Sequence, residues 1–273
     1  MNRRLCLVAI LAAGLASLSA QAMFDNGGFD FAQVASTNID KVTDSLSMWG
    51  DPIDLEADRR FKTGSALNQK GGYEQARQVF VDLLSFCAAN NIPLHVDQFD
   101  NILLRIAYCL GDSKRDKEAI AVYNYRLDVL SDANNWRSSL PQGLQVLMDK
   151  GEIVPSILAG LCHQDRSIAR TIVGDYDGAW EDMLESERIL EPIVFEGMNY
   201  HKKISSGYFS FLSNAYLLGQ MERVPKAFDK FQASLLRLEE GYPAKEIIMA
   251  FRFARNASAQ VKNLENAKDY SMR

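Results

Sequence analysis

At 273 residues, 47% hydrophobic and 24% charged, with a formal net charge of −5, the chain has ample material for a core. It lacks the basic surplus that a nucleic-acid binder needs to neutralise phosphates. Cysteines occur at 6, 87, 109 and 162 without a Cys-x-x-Cys, so neither a redox motif nor a zinc knuckle is supported.

Residues 1–22 have the three-part layout of a secretory signal peptide. Arg3 and Arg4 give a positive start, Leu5 to Leu18 an apolar run, and Ala20-Gln21-Ala22 the small residues that a signal peptidase needs. The run is shorter than the roughly 20 residues of a membrane-spanning helix. Cleavage after Ala22 by the general secretory route is expected. It leaves a soluble periplasmic or secreted chain that starts at Met23 and has no membrane span. Loss of Cys6 leaves three cysteines, which cannot pair completely within one chain and are expected to be small buried hydrophobes.

Residues 23–55 read as an N-terminal extension, with an amphipathic helix predicted from Phe31 to Met48. From 56 to 243 the pattern is one of paired helices. Gly71-Gly72-Tyr73-Glu74-Gln75-Ala76-Arg77-Gln78-Val79-Phe80 opens a second helix after a glycine turn, and Gly174-Asp175-Tyr176-Asp177-Gly178-Ala179 repeats that opening. Small residues pair at a separation of twelve: Gly64 with Ala76, Ala107 with Ala119, Ser167 with Ala179, and Ala215 with Ala227. Four residues after each second member stands a large side chain, Phe80, Tyr123, Met183 or Phe231. That offset is the same helix face one turn along. The small residues permit close approach of two helices, and the bulky one fills the space between pairs.

Pro93, Pro155 and Pro243 are placed between pairs, Pro225 at the start of a second helix and Pro192 at the end of one. An insertion is placed near 131–154, with a short helix in Gln142 to Asp149. Ala244 to Asn263 reads as a long last helix with Ile247, Ile248, Phe251 and Ala254 marking its apolar face, and 265–273 as a tail. A polar outer side on that helix is expected, because a helical stack needs one to stay in solution. No alternation of apolar and polar residues is long enough to require a sheet.

These openings and spacings resemble the tetratricopeptide repeat (TPR) family. The resemblance implies an all-α fold, an α-α superhelix of about four degenerate TPR-like helix pairs with a C-terminal capping helix at 244–273. Successive second-helix alanines are 43, 60 and 48 apart, against a family period of about 34, so the helices are longer or the connections carry insertions. In such stacks the first helices line a concave face. With the small residues as register, a partner-binding groove takes Phe61, Ser65 and Asn68 from the first pair and Asn101, Leu104, Arg105 and Tyr108 from the second. Gln164, Ile168 and Thr171 come from the third pair and Phe209, Leu212 and Tyr216 from the fourth, with Arg252 and Asn256 extending the row. That mixed apolar, aromatic and amide surface suits a docked peptide or helix. The alternative is that the insertions cover several of these residues. The carboxylate clamp of some family members is not carried over, because Asp165 at a matching position would repel a carboxylate.

Catalytic chemistry finds little support. Cys162 and His163 are neighbours on a helix and point about 100° apart. His95 and His201 stand alone, and no metal-ligand spacing links the histidines. Glu181, Asp182, Glu185 and Glu187 read as a solvated face, and Gly71-Gly72 is too short for a phosphate loop. Asn256-Ala257-Ser258 matches a glycosylation sequon by chance inside a helix. No catalytic, cofactor or metal residue is assigned. The leading expectation is an exported non-catalytic scaffold that holds an unidentified protein or peptide in the bacterial cell envelope. A self-assembling structural subunit, and an enzyme or ligand receptor with a pocket under the insertions, remain as alternatives. Fold resemblance alone cannot name the activity.

Overall fold

A left-handed residue stands at an equivalent place four times along the chain, where a first helix ends and the chain turns back into the second. The computed structural model describes residues 55–131, 140, 143–147, 153–195, 198–238 and 241–271, with side chains to Lys262. The expected leader and the helix expected from Phe31 to Met48 lie outside these residues. All described residues belong to the unit Trp49–Arg273.

The described residues form four consecutive helix pairs and one last helix. They are α1 (Leu55–Gln69) with α2 (Tyr73–Ala89), α3 (Val96–Asp112) with α4 (Asp116–Ser131), α5 (Ile153–Ile172) with α6 (Tyr176–Leu190), α7 (His201–Leu217) with α8 (Val224–Leu235), and finally α9 (Ala244–Ser271). The all-α expectation therefore holds for the described residues, apart from two minimal strand pairs. No described helix is long and apolar enough to cross a membrane.

The turn inside each pair follows one rule. Gly71, Lys114, Gly174 and Gly219 have φ of 78°, 59°, 87° and 77°. The next amide in each case bonds five residues back, Gly72 to Leu67, Arg115 to Leu110, Asp175 to Arg170 and Gln220 to Ala215, at 2.8–2.9 Å. This is the Schellman closure, which satisfies carbonyls that a helix end would otherwise leave bare. Glycine meets the left-handed φ without strain at three turns, and Lys114 bears it at the fourth.

Packing follows the small-residue register. Ala76, Ala107, Ala119, Ser167, Ala179, Ala215 and Ala227 are all buried, as are Phe80, Tyr123, Met183 and Phe231. A Cβ added to Gly64 would lie 2.8 Å from the Phe80 ring, and one added to Gly207 would lie 2.7 Å from the Met183 methyl. Close approach is thus required at these contacts. Each even-numbered helix packs on the next odd-numbered one, and the odd-numbered helices also touch in succession, α1 on α3, α3 on α5, α5 on α7 and α7 on α9. Cys87, Cys109 and Cys162 are buried and none is in a disulfide. Burial pushes the Cys109 thiol up to about 11 and Cys162 up to about 12.

Three placements differ from the sequence reading. Pro155 lies inside the first turn of α5 rather than between pairs, where its missing N–H costs no helical bond. The helix expected in Gln142 to Asp149 is not formed over its described part. Gly143 takes a φ of 85°, and Val146–Leu147 (β2) pairs in parallel with Leu94–His95 (β1). A second two-residue pair joins Val194–Phe195 (β3) to Met198–Asn199 (β4) in antiparallel fashion. On α9, Ile248 and Phe251 are exposed at 52% and 49%, while Ala250, Ala254 and Ala257 are buried. Of the expected core face of α9, Ala254 is buried and Ile247 half-buried, but Ile248 and Phe251 turn outward, because alanines let the helix sit closest to its neighbours.

Candidate functional site

The residues expected in a groove divide into covered, seam and rim positions. Phe61, Asn101, Leu104, Phe209 and Leu212 are buried. Phe61 tilts against Phe80 at 5.6 Å between ring centroids, and Phe209 against Phe231 at 5.9 Å. Asn101 and Leu104 belong to the stretch 96–104 of α3, every residue of which is buried. Strand β2, from the insertion, packs on α3. A partner in a groove would not reach these five positions, which corrects the expectation for them. Ser65 is half-buried, Ile168 and Thr171 lie on α5, and Thr171 is fully buried with its hydroxyl on the Ser167 carbonyl at 2.7 Å.

The seam is formed by amide and tyrosine side chains. Between α1 and α3, the Cys109 thiol donates to Asn68 Oδ1 at 3.5 Å. Between α3 and α5, the Tyr108 hydroxyl donates to Asp165 Oδ1 at 3.2 Å. Between α5 and α7, Gln164 Nε2 donates to the Lys203 carbonyl at 3.2 Å. Between α7 and α9, Asn256 Nδ2 donates to the Tyr216 hydroxyl at 3.2 Å, and the Tyr216 ring stacks on Phe253 at 4.4 Å. Each contact between successive odd-numbered helices thus carries one polar bond from the predicted row. At the rim, Arg252 is exposed, and Arg105, Tyr108, Tyr216, Asn68 and Asn256 are half-buried.

Behind the seam lie three buried ionic hubs that sequence reasoning did not find. Arg126 on α4, 1% exposed, grips Asp100 through Nε and Nη2, both at 2.8 Å, and reaches Asp165 through Nη1 at 3.4 Å. Burial alone would lower the pKa of Arg126, but the Asp100 carboxylate more than reverses this and the guanidinium stays charged. Burial lifts Asp165 to about 6, since Arg126 is engaged mainly by Asp100. Burial and the Asp165 charge raise the Tyr108 phenol well above its ordinary value, so it keeps the proton it donates to Asp165.

Asp182, buried on α6, accepts from His163 Nδ1 at 2.8 Å and Arg166 at 2.6 Å and forms an ion pair with Arg170 at 3.2 Å, pinning α5 to α6. Glu187, also buried on α6, accepts from the Tyr208 hydroxyl at 2.6 Å, Lys230 at 2.7 Å and Arg237 at 3.1 Å, joining α6 to α7 and α8. Burial pushes both carboxyls up, but their hydrogen-bond donors and the nearby arginine and lysine charges outweigh it and hold them below the ordinary range. These two residues correct the expected solvated acidic face, although Glu181 is exposed. The signal was present in the sequence. Arg126 follows Ala119 by seven and Tyr123 by three, Asp182 follows Ala179 by three, and Glu187 follows Met183 by four. A charge on the core stripe of a helix requires a buried counter-charge.

Among the described residues no group of histidines, cysteines and carboxylates could hold a metal ion. No family model, no curated protein and no solved structure matches the chain.

Proposed function

We propose that the chain is an exported, non-catalytic scaffold of TPR-like helix pairs that holds a protein or peptide partner along its odd-numbered helices. The observation that carries this reading is the unbroken succession of contacts α1–α3–α5–α7–α9, which sets the odd-numbered helices side by side along the proposed face. Along that face Arg105, Tyr216 and Arg252 remain accessible in whole or part. Arginine and tyrosine combine contact area with directed hydrogen bonds, as binding hot spots do. The buried charges support the same reading, because Arg126, Asp182 and Glu187 are committed to structural ion pairs that stiffen the support. The basic-apolar-small order of residues 1–22 supports delivery to the bacterial periplasm or beyond.

In-cell photocrosslinking tests the proposal. A photoreactive residue in place of Arg105 or Tyr216 is expected to yield a covalent adduct with one foreign protein of the cell envelope. The same residue in place of Gln232, exposed on α8, is expected to yield none. Adducts only between copies of the chain would replace the scaffold with a self-assembling subunit.

A further inference from the structure

The outer face of α9 differs in chemistry from the rest of the molecule. Glu246, Ala250, Ala254 and Ala257 point into the stack and are buried. On the opposite side Lys245, Ile248, Phe251, Arg252, Arg255 and Lys262 are exposed. Glu246 is the sole carboxylate between 244 and 262, so this face holds four cations and no anion, on a chain of net charge −5. Among the described residues no ion pair engages Arg252, Arg255 or Lys262.

The exposed cations line up along the helix axis. Ile248, Arg252, Arg255, Ala259 and Lys262 alternate four and three apart. That alternation places them along one side of the helix. Three of the five stripe residues are cationic, and Phe251 flanks them.

We infer that this outer face of α9 docks an acidic amphipathic helix of another protein, whose carboxylates meet Arg252, Arg255 and Lys262 and whose apolar side chains cover Ile248 and Phe251. Charge complementarity selects this occupant. A second copy of the same face would set cations against cations. A lipid surface fits less well, since at about 100° per residue Arg255 lies between Phe251 and Ile248 around the helix. Inserting those two side chains would carry the guanidinium with them into hydrocarbon. The inference is independent of the odd-helix row, with which this face shares only Arg252.

The test uses the full chain and stapled helical peptides that carry leucine on one face and glutamate on its flanks. Fluorescence anisotropy is expected to show saturable binding that weakens with salt. Arg255→Glu with Lys262→Glu is expected to lower affinity about tenfold or more. A peptide with lysine in place of glutamate is expected to bind the doubly reversed variant and not the parent, which also reports that the variant is folded. Equal affinity for parent and variant overturns the inference. So does loss of the peptide on Arg105→Ala, which would assign it to the odd-helix row. Charge-dependent binding to phosphatidylglycerol vesicles without peptide binding would give the face to a membrane. Dimers in sedimentation that the reversal abolishes would give it to a second copy.

Discussion

Arg126→Met is the sharpest single perturbation of the stack. The guanidinium makes two bonds of 2.8 Å to Asp100 and one of 3.4 Å to Asp165, with Arg126, Asp100 and Asp165 exposed by only 1%, 3% and 6%. Removing it leaves two carboxylates in a dry site spanning α3 and α5, with no cation between them. Truncating one partner of a buried pair costs about 3–5 kcal/mol, a large part of the roughly 5–15 kcal/mol that holds a domain. In urea this moves the midpoint down by roughly 1–2 M at unchanged slope. The loss should shrink in acid, where the stranded carboxyls take up protons. Adding Asp100→Asn and Asp165→Asn should recover most of it, because neutral amides of similar shape need no counter-charge. A loss below about 1 kcal/mol at neutral pH, with no recovery in the triple variant, would show that the hub is not a buried ion network.

Lys114→Gly removes a left-handed lysine at φ 59° and is expected to stabilise the chain by about 1 kcal/mol, read as a raised melting temperature; an equal or lower value contradicts the turn analysis. Asp165 has a folded pKa of about 6, above its ordinary 3.8, so the folded state takes up a proton first and stability rises as pH falls through that window, by up to about 3 kcal/mol. Asp165→Asn should flatten that limb of the urea-stability profile, and a parent with no gain between pH 7 and 5 would refute the assignment. Below that window Asp182 and Glu187, whose pKa values are lowered, lose their partners on protonation and stability falls again. Expressed in its cell, the chain should be found outside the cytoplasm with the intact mass of a protein starting at Met23; a species retaining Arg3 and Arg4 would contradict the proposed leader.

The parts of the fold legible in sequence are those written as periodic contacts. Ala76, Ala119, Ala179 and Ala227, and the large residues four places on, are buried as the register requires. Elements that depend on distant chain were not legible. Strand β2 exists because Val146 meets Leu94, and nothing within Gln142 to Asp149 announces that partner. Lys114 occupies a turn position held by glycine in the other three pairs, which hid one repeat of the turn. On α9 Ile248 and Phe251 face out while Ala250, Ala254 and Ala257 face in, because helix approach distance outweighs side-chain hydrophobicity there. In the candidate row, register placed the residues on the odd-numbered helices. It did not show that Tyr108, Gln164 and Tyr216 bond to the next helix, since those partners lie 57, 39 and 40 residues away.

The face of the odd-numbered helices is tested most directly by measuring partner capture and melting temperature on the same samples of Arg105→Ala, Tyr216→Ala and Ala119→Leu. Ala119 is buried at a helix contact, so Ala119→Leu should lower the melting temperature through overpacking of about 1–3 kcal/mol while the folded fraction still captures partner. Arg105→Ala and Tyr216→Ala should each weaken capture by about 2 kcal/mol or more with a smaller loss in melting temperature. Lowered melting of the Tyr216 variant with undiminished capture by its folded fraction, together with unchanged capture by the Arg105 variant, would contradict a binding face there.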